Sequence, residues 1–94
     1  MTPDNTDIFV YDIAVVDGTL TAYASVQVSG VLTDPDAVAF SLYAMPRSIK
    51  TAFAGDLIDG KVTKIADGIY RYVEDVSTLA DGKYEIDCKT SFVS

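Results

Sequence analysis

This 94-residue sequence predicts an antiparallel all-β fold, a sandwich or a small barrel, and three observations carry the prediction. Apolar residues recur at period two along most of the chain, as they do on strands with one covered face. Four of the six glycines follow an aspartate, at Asp17-Gly18, Asp59-Gly60, Asp67-Gly68 and Asp81-Gly82, and each pair borders a strand-like run. No stretch repeats apolar residues at helical spacing, and twelve of the fourteen acidic residues are Asp, a turn former, rather than Glu, a helix former. Six or seven strands in a single domain spanning residues 1–94 are expected, since a chain of this length buries roughly 60 to 68 per cent of its unfolded surface and has no room for a second core.

The first run, "DIFVYDIAVV", is apolar on both faces, with Phe9, Tyr11, Ile13 and Val15 on one and Ile8, Val10, Ala14 and Val16 on the other. Asp17-Gly18 then turns the chain into "TLTAYASVQVSG", where Leu20, Ala22, Ala24, Val26 and Val28 share the inward side. "TDPDA" at 33–37 is a turn, Pro35 presetting φ at its second position. "AVAFSLYA" places Val38, Phe40, Leu42 and Ala44 inward. Residues 45–58, "MPRSIKTAFAGDLI", are open between a short strand and a single helical turn, because Pro46 breaks the preceding strand. "KVTKI" and "IYRYVEDV" are strands on β-branched and aromatic content, but period alone leaves open which side of each faces inward. The last run, "KYEIDCKTSF", opposes Tyr84, Ile86, Cys88, Thr90 and Phe92 to Lys83, Glu85, Asp87, Lys89 and Ser91.

The Asp-Gly pairs read as corners. Asp tolerates the left-handed region, and Gly supplies positive φ at little steric cost. A net charge of −7 would be repelled by phosphate backbones, so nucleic acid is not an expected partner. The opening "MTPDNTD" lacks the positive charge of a signal peptide, and no apolar run is long enough for a membrane helix, so a soluble chain without a membrane partner is expected. Cys88 is the single cysteine and reads as a buried apolar side chain.

No catalytic constellation stands out, and no enzyme activity is expected. Imidazole is absent, so a nucleophile would lack its usual base. No segment has the alternating oxygen ligands, central Gly and distant Glu of a calcium loop, and zinc would find one Cys and no His. No metal and no cofactor is therefore assigned. Asp34 and Asp36 at one end of the fold are weighed as a cation site against a solvated turn. Tyr23 and Tyr43 are weighed as sugar platforms against cross-strand packing.

"LADGKY", Leu79 to Tyr84, resembles the tyrosine corner of immunoglobulin-like and fibronectin type III sandwiches. Leu79 takes the place of the core leucine, Asp81 and Gly82 form the bend, and Tyr84 opens the following strand with its hydroxyl available to upstream backbone. The longer pattern, "TDPDAVAFSLYAMP" followed by "KVTKIADGIYRYVEDVSTLADGKYEI", resembles the small immunoglobulin-like proteins found among the virion structural proteins of tailed bacteriophages. The resemblance covers roughly residues 19 to 90. It implies an immunoglobulin-like β-sandwich with a structural part in the virion: head decoration, a head-tail joint or a tail accessory subunit, in contact with other virion proteins in a multi-copy assembly. A carbohydrate-binding or adhesin-like surface domain is the alternative.

Two features mark where contacts with other subunits would fall. The two-sided apolar character of the first run needs a cover on its second side, and the sequence ends soon after Phe92, where a further strand would ordinarily hairpin back. Ile8 and Val10, with Glu85, Asp87 and Lys89 on the outward side of the last strand, are the candidate intersubunit residues.

Overall fold

The structure is a computed structural model that describes residues 5–92. It is all-β, with eight strands in antiparallel pairs: β1 (Thr6–Val16), β2 (Thr19–Val28), β3 (Val31–Leu32), β4 (Ala37–Ala44), β5 (Ile49–Asp56), β6 (Val62–Ala66), β7 (Ile69–Asp75) and β8 (Tyr84–Ser91). One sheet runs β1-β2-β7-β6, with β3 also paired to β2, and the other runs β5-β4-β8. The covered faces of both contribute to one core.

Turn chemistry sets the hairpins. Asp17 and Gly18 both take positive φ, 52° and 77°, between the paired residues Val16 and Thr19, the signature of a two-residue turn whose twist matches its strands. Ser29-Gly30 repeats this between Val28 and Val31 and so creates β3, a strand of two residues that raises the count above the six or seven expected. The open stretch at 45–58 resolves as β5, hairpinned to β4 through residues 45–48 around a cis Met45-Pro46 bond.

The inward side chains of β2 and β4 are those that period two selects. Leu20, Ala22, Ala24 and Val26 are buried on β2, and Val38, Phe40 and Leu42 on β4. On β7, where period left the side open, Tyr70 and Tyr72 face inward. Tyr72 lies nearly parallel to Phe40 with ring centroids 5.1 Å apart, a stack that joins the two sheets and contributes about 0.5 to 1.5 kcal/mol beyond burial of the rings. Small residues make this possible: Ala22 is paired with Tyr72, and Gly55 on β5 leaves the space that the Tyr72 ring enters.

β1 departs from strict alternation. Pairing with β2 runs in step from Thr6 to Tyr11, slips by one residue, and resumes at Ala14, with Asp12 at a φ of 51°. This is a β-bulge, one extra residue opposite its partner strand. Before it, Ile8 and Val10 lie opposite the buried Val26 and Ala24 and face the core; after it, Val15 lies opposite the buried Leu20 and faces the same way. The two apolar faces drawn from the sequence therefore exchange at Asp12. Core-facing positions are 8 and 10 before the bulge and 13 and 15 after it.

Candidate functional site

β8 and the second half of β1 border a concave surface. β4 holds one edge of β8 in register from Ala44 opposite Tyr84 to Ala37 opposite Ser91. The other edge of β8 has no paired strand among the described residues. Lys83 and Ser91 turn their carbonyls toward β4, accepting from Met45 N–H at 2.9 Å and Asp36 N–H at 2.9 Å. Backbone direction alternates along an antiparallel strand, so the N–H and C=O groups of Tyr84, Ile86 and Cys88 point to the open edge.

Beside that edge lies an apolar groove of about 450 Å³ whose lining includes Val10, Ile13, Val15, Leu42, Leu79 and Ile86. The facing sheet has run out at this place: Ile13 and Val15 look toward the core side yet are 54% and 60% exposed. Glu85 is the one charged residue in the lining.

The corner closes one end of this groove. Tyr84 donates its hydroxyl to the carbonyl of Ala80 at 2.6 Å, Leu79 packs against the core, and both line the groove. Asp81 and Gly82 form the bend between them. Leu79 N–H in turn donates to Val76 C=O at 2.9 Å, and Val76 N–H to Gly18 C=O at 2.8 Å, which ties the corner to the β1-β2 turn. Of the sequence-derived contact residues, Ile8 and Val10 are half-buried against the chain's own core. Glu85 and Lys89 are exposed and Asp87 half-buried, opposite Tyr43, Ala39 and Ser41 of β4. The structure brings Val10 and Glu85 to one groove and leaves Ile8, Asp87 and Lys89 outside its lining.

Two polar clusters, neither visible in the sequence, fasten the rest of the molecule. Asp34 accepts from Gly68 N–H at 2.8 Å and the Tyr70 hydroxyl at 2.9 Å on one oxygen, and from Lys64 Nζ at 2.6 Å on the other. Lys64 and the Gly68 N–H hold the Asp34 carboxyl down to about 2. Burial, followed by the hydrogen bond to Asp34, pushes the Tyr70 hydroxyl up to about 12. Both oxygens of Asp34 are thus engaged in joining the β3-β4 connection to the β6-β7 turn. Gly68 is required there: a Cβ would come within 2.8 Å of both Thr33 N and Val26 O.

The second cluster centres on Glu74, the buried charged residue of β7, 7% exposed. It accepts the Tyr72 hydroxyl at 2.8 Å and lies within 2.9 Å of Lys61 Nζ. The carboxylate beside Lys61 raises the lysine above its ordinary range. A charge this deep is tolerated because it is both paired and hydrogen-bonded.

At the Asp59-Gly60 corner, Asp59 caps its own turn, accepting from Lys61 N–H at 2.8 Å and Asp56 N–H at 3.1 Å. Among the described residues no three His, Cys, Asp or Glu side chains are grouped to hold a metal ion. Burial pushes the Cys88 thiol up to about 12, which keeps it protonated and unreactive. Tyr23 stacks on Tyr11 across the β1-β2 pair at 5.9 Å, so part of its face is already covered.

No protein-family model matches the chain, and no curated protein or solved structure matches it.

Proposed function

We propose that this chain is an immunoglobulin-like structural subunit of a virion, of the tailed-bacteriophage kind, that works by protein-protein contact and performs no catalysis. Strand order supports the immunoglobulin-like reading. β1, β2, β7 and β6 follow the order A-B-E-D of a constant-type sheet, and β5, β4 and β8 correspond to C′, C and F of the facing sheet. The position of strand G, beside β8, has no strand among the described residues. The hydrogen bond from Tyr84 to Ala80 sits where a tyrosine corner belongs, at the start of F.

The observation that carries the contact reading is the apolar surface of β1. Phe9 and Val16 on its outward side and Ile13 and Val15 on its core-facing side are all more than half exposed. Isolated exposed apolar residues are ordinary, but a strand with such residues exposed on both faces is one that another protein covers.

Immunogold labelling of purified particles from the strain that encodes the chain tests the proposal. Label at a fixed position on the particle is expected. Label confined to the soluble fraction, together with saturable binding on an oligosaccharide array, would replace this reading with the carbohydrate-binding one.

A further inference from the structure

We propose that the place beside β8 is an acceptor slot for a single β-strand donated by another protein, one that carries basic residues around an alternating apolar segment. The inference rests on the reading that the chain works through protein contacts, and it specifies what kind of contact.

Three observations converge on a strand rather than a globular face. The Tyr84, Ile86 and Cys88 backbone groups point to the open edge of β8, and an extended segment is the shape that satisfies such a row. A strand at the usual spacing of about 4.8 Å beyond β8 would lie across from Ile13 and Val15, whose exposure on a core-facing side is otherwise unexplained. The groove is apolar along its length and receives every second side chain of such a strand, while the intervening ones point to solvent next to Glu85, Asp87 and Lys89. Backbone pairing would supply register, and the groove would supply selection for apolar residues at alternate positions.

Charge decides between donors. The chain carries −7, and the charged residue lining the groove is Glu85. A second copy would bring a chain of net charge −7 toward another of −7, whereas a donor with Lys or Arg flanking its apolar residues is attracted to Glu85. The occupant is therefore a basic segment of a different protein rather than this chain's own twin.

The test uses the full chain and three nine-residue peptides: alternating Val and Thr between terminal lysines, the same core between terminal glutamates, and the lysine peptide with a central proline. Amide hydrogen exchange and sedimentation are followed during titration. The lysine peptide should bind saturably, at least tenfold more tightly than the other two, and should slow exchange at Tyr84, Ile86 and Cys88. Ile13→Asp should weaken binding more than tenfold while the circular dichroism of the free chain is unchanged, because residue 13 is exposed in the unbound molecule. Val16→Asp, on the outward side of β1, should leave binding intact and controls for charge alone.

Amides at 84, 86 and 88 that are already slow without peptide would overturn the proposal. So would binding indifferent to Ile13→Asp, equal binding of acidic and basic peptides, or self-association that protects the same amides. The slot and the virion reading fail separately. Peptide binding by a chain that does not label particles keeps the slot and removes the virion assignment; labelled particles with unresponsive β8 amides do the reverse.

Discussion

Gly55→Ala adds one methyl group at the tightest point of the inter-sheet packing. Gly55 is paired with Phe40 and is not among the residues with positive φ, so alanine meets no backbone penalty there. Its Cβ would stand 2.8 Å from Cε1 of Tyr72 and 2.6 Å from Cβ of Lys61. Carbon atoms rest at about 3.5 Å or more, so Tyr72 would have to recede by about 0.7 Å. It is poorly placed to do so, being stacked on Phe40 and bonded through its hydroxyl to Glu74. Lys61 is held too, its carbonyl accepting from Val73 N–H at 3.0 Å. Overpacking of this kind costs about 1 to 3 kcal/mol. The loss of unfolded-state entropy on Gly→Ala returns about 0.4 to 1 kcal/mol. The net expectation is a destabilisation of about 1 to 2 kcal/mol, read in urea as a midpoint lowered by roughly 0.5 to 1 M with an unchanged slope. In a Tyr72→Leu background the same methyl should cost less, a coupling that identifies the ring as the obstacle. A midpoint that stays put or rises would show that the sheets yield, and the account of Gly55 as the space for Tyr72 would fail.

Tyr84→Phe removes the hydroxyl that reaches Ala80 and should cost about 0.5 to 1.5 kcal/mol in the same assay; unchanged stability would show that the corner bond contributes nothing. Lys61→Met keeps the packed stem but strands the buried Glu74, and should cost about 1 to 3 kcal/mol, less than for a fully buried pair because Lys61 is 43% exposed. Adding Glu74→Gln to it should recover most of the loss, since the amide still accepts from Tyr72; no recovery would point to lost packing instead. Asp34 is held below its unfolded value near 3.9, so its contribution is complete above about pH 5 and is lost as pH falls toward about 2. Asp34 is 39% exposed, and after solvent screening the effect is about 1 kcal/mol. The stability difference between the native chain and Asp34→Asn should shrink across that acid window, and a difference constant from pH 7 to 2 would contradict the assignment. Calcium in place of chelator should leave the melting temperature unchanged, and a rise of several degrees would mean that the aspartates bind metal after all.

Period two was enough to orient β2, β4 and β8 because each has one side against the core and the other toward solvent. It was silent on β7, where the deciding interactions are distant: the Tyr70 hydroxyl finds Asp34 and the Tyr72 hydroxyl finds Glu74 and, through it, Lys61. Those clusters are tertiary facts, and isolated carboxylates in a sequence with twelve aspartates carry no mark of which will meet a lysine. β3 and β5 exist through pairing rather than through their own residues. One follows from the Ser29-Gly30 turn, the other from the hairpin across Met45 to Ser48. The Leu79 to Tyr84 corner was legible because it is local. The groove was not, since it depends on where the β5-β4-β8 sheet stops relative to β1. One signal did point there: apolar residues at both parities around a single Asp are what a bulged strand looks like when written as letters.

Because the slip in β1 is confined to one residue, the strand has a defined response to changes in chain length. Deleting Asp12 would place Ile13 opposite Ala22 and leave Ala14, Val15 and Val16 with the partners they now have. Deleting Phe9 or Val10 would instead turn part of the run inside out, bringing Tyr11 opposite Ala24 on the core side. Position 12 is thus a point in the strand where a codon can be lost without changing which side chains face in. What such a shortened chain would lose is the extra bend that a bulge gives its strand, and with it the angle at which Ile13 and Val15 meet the groove.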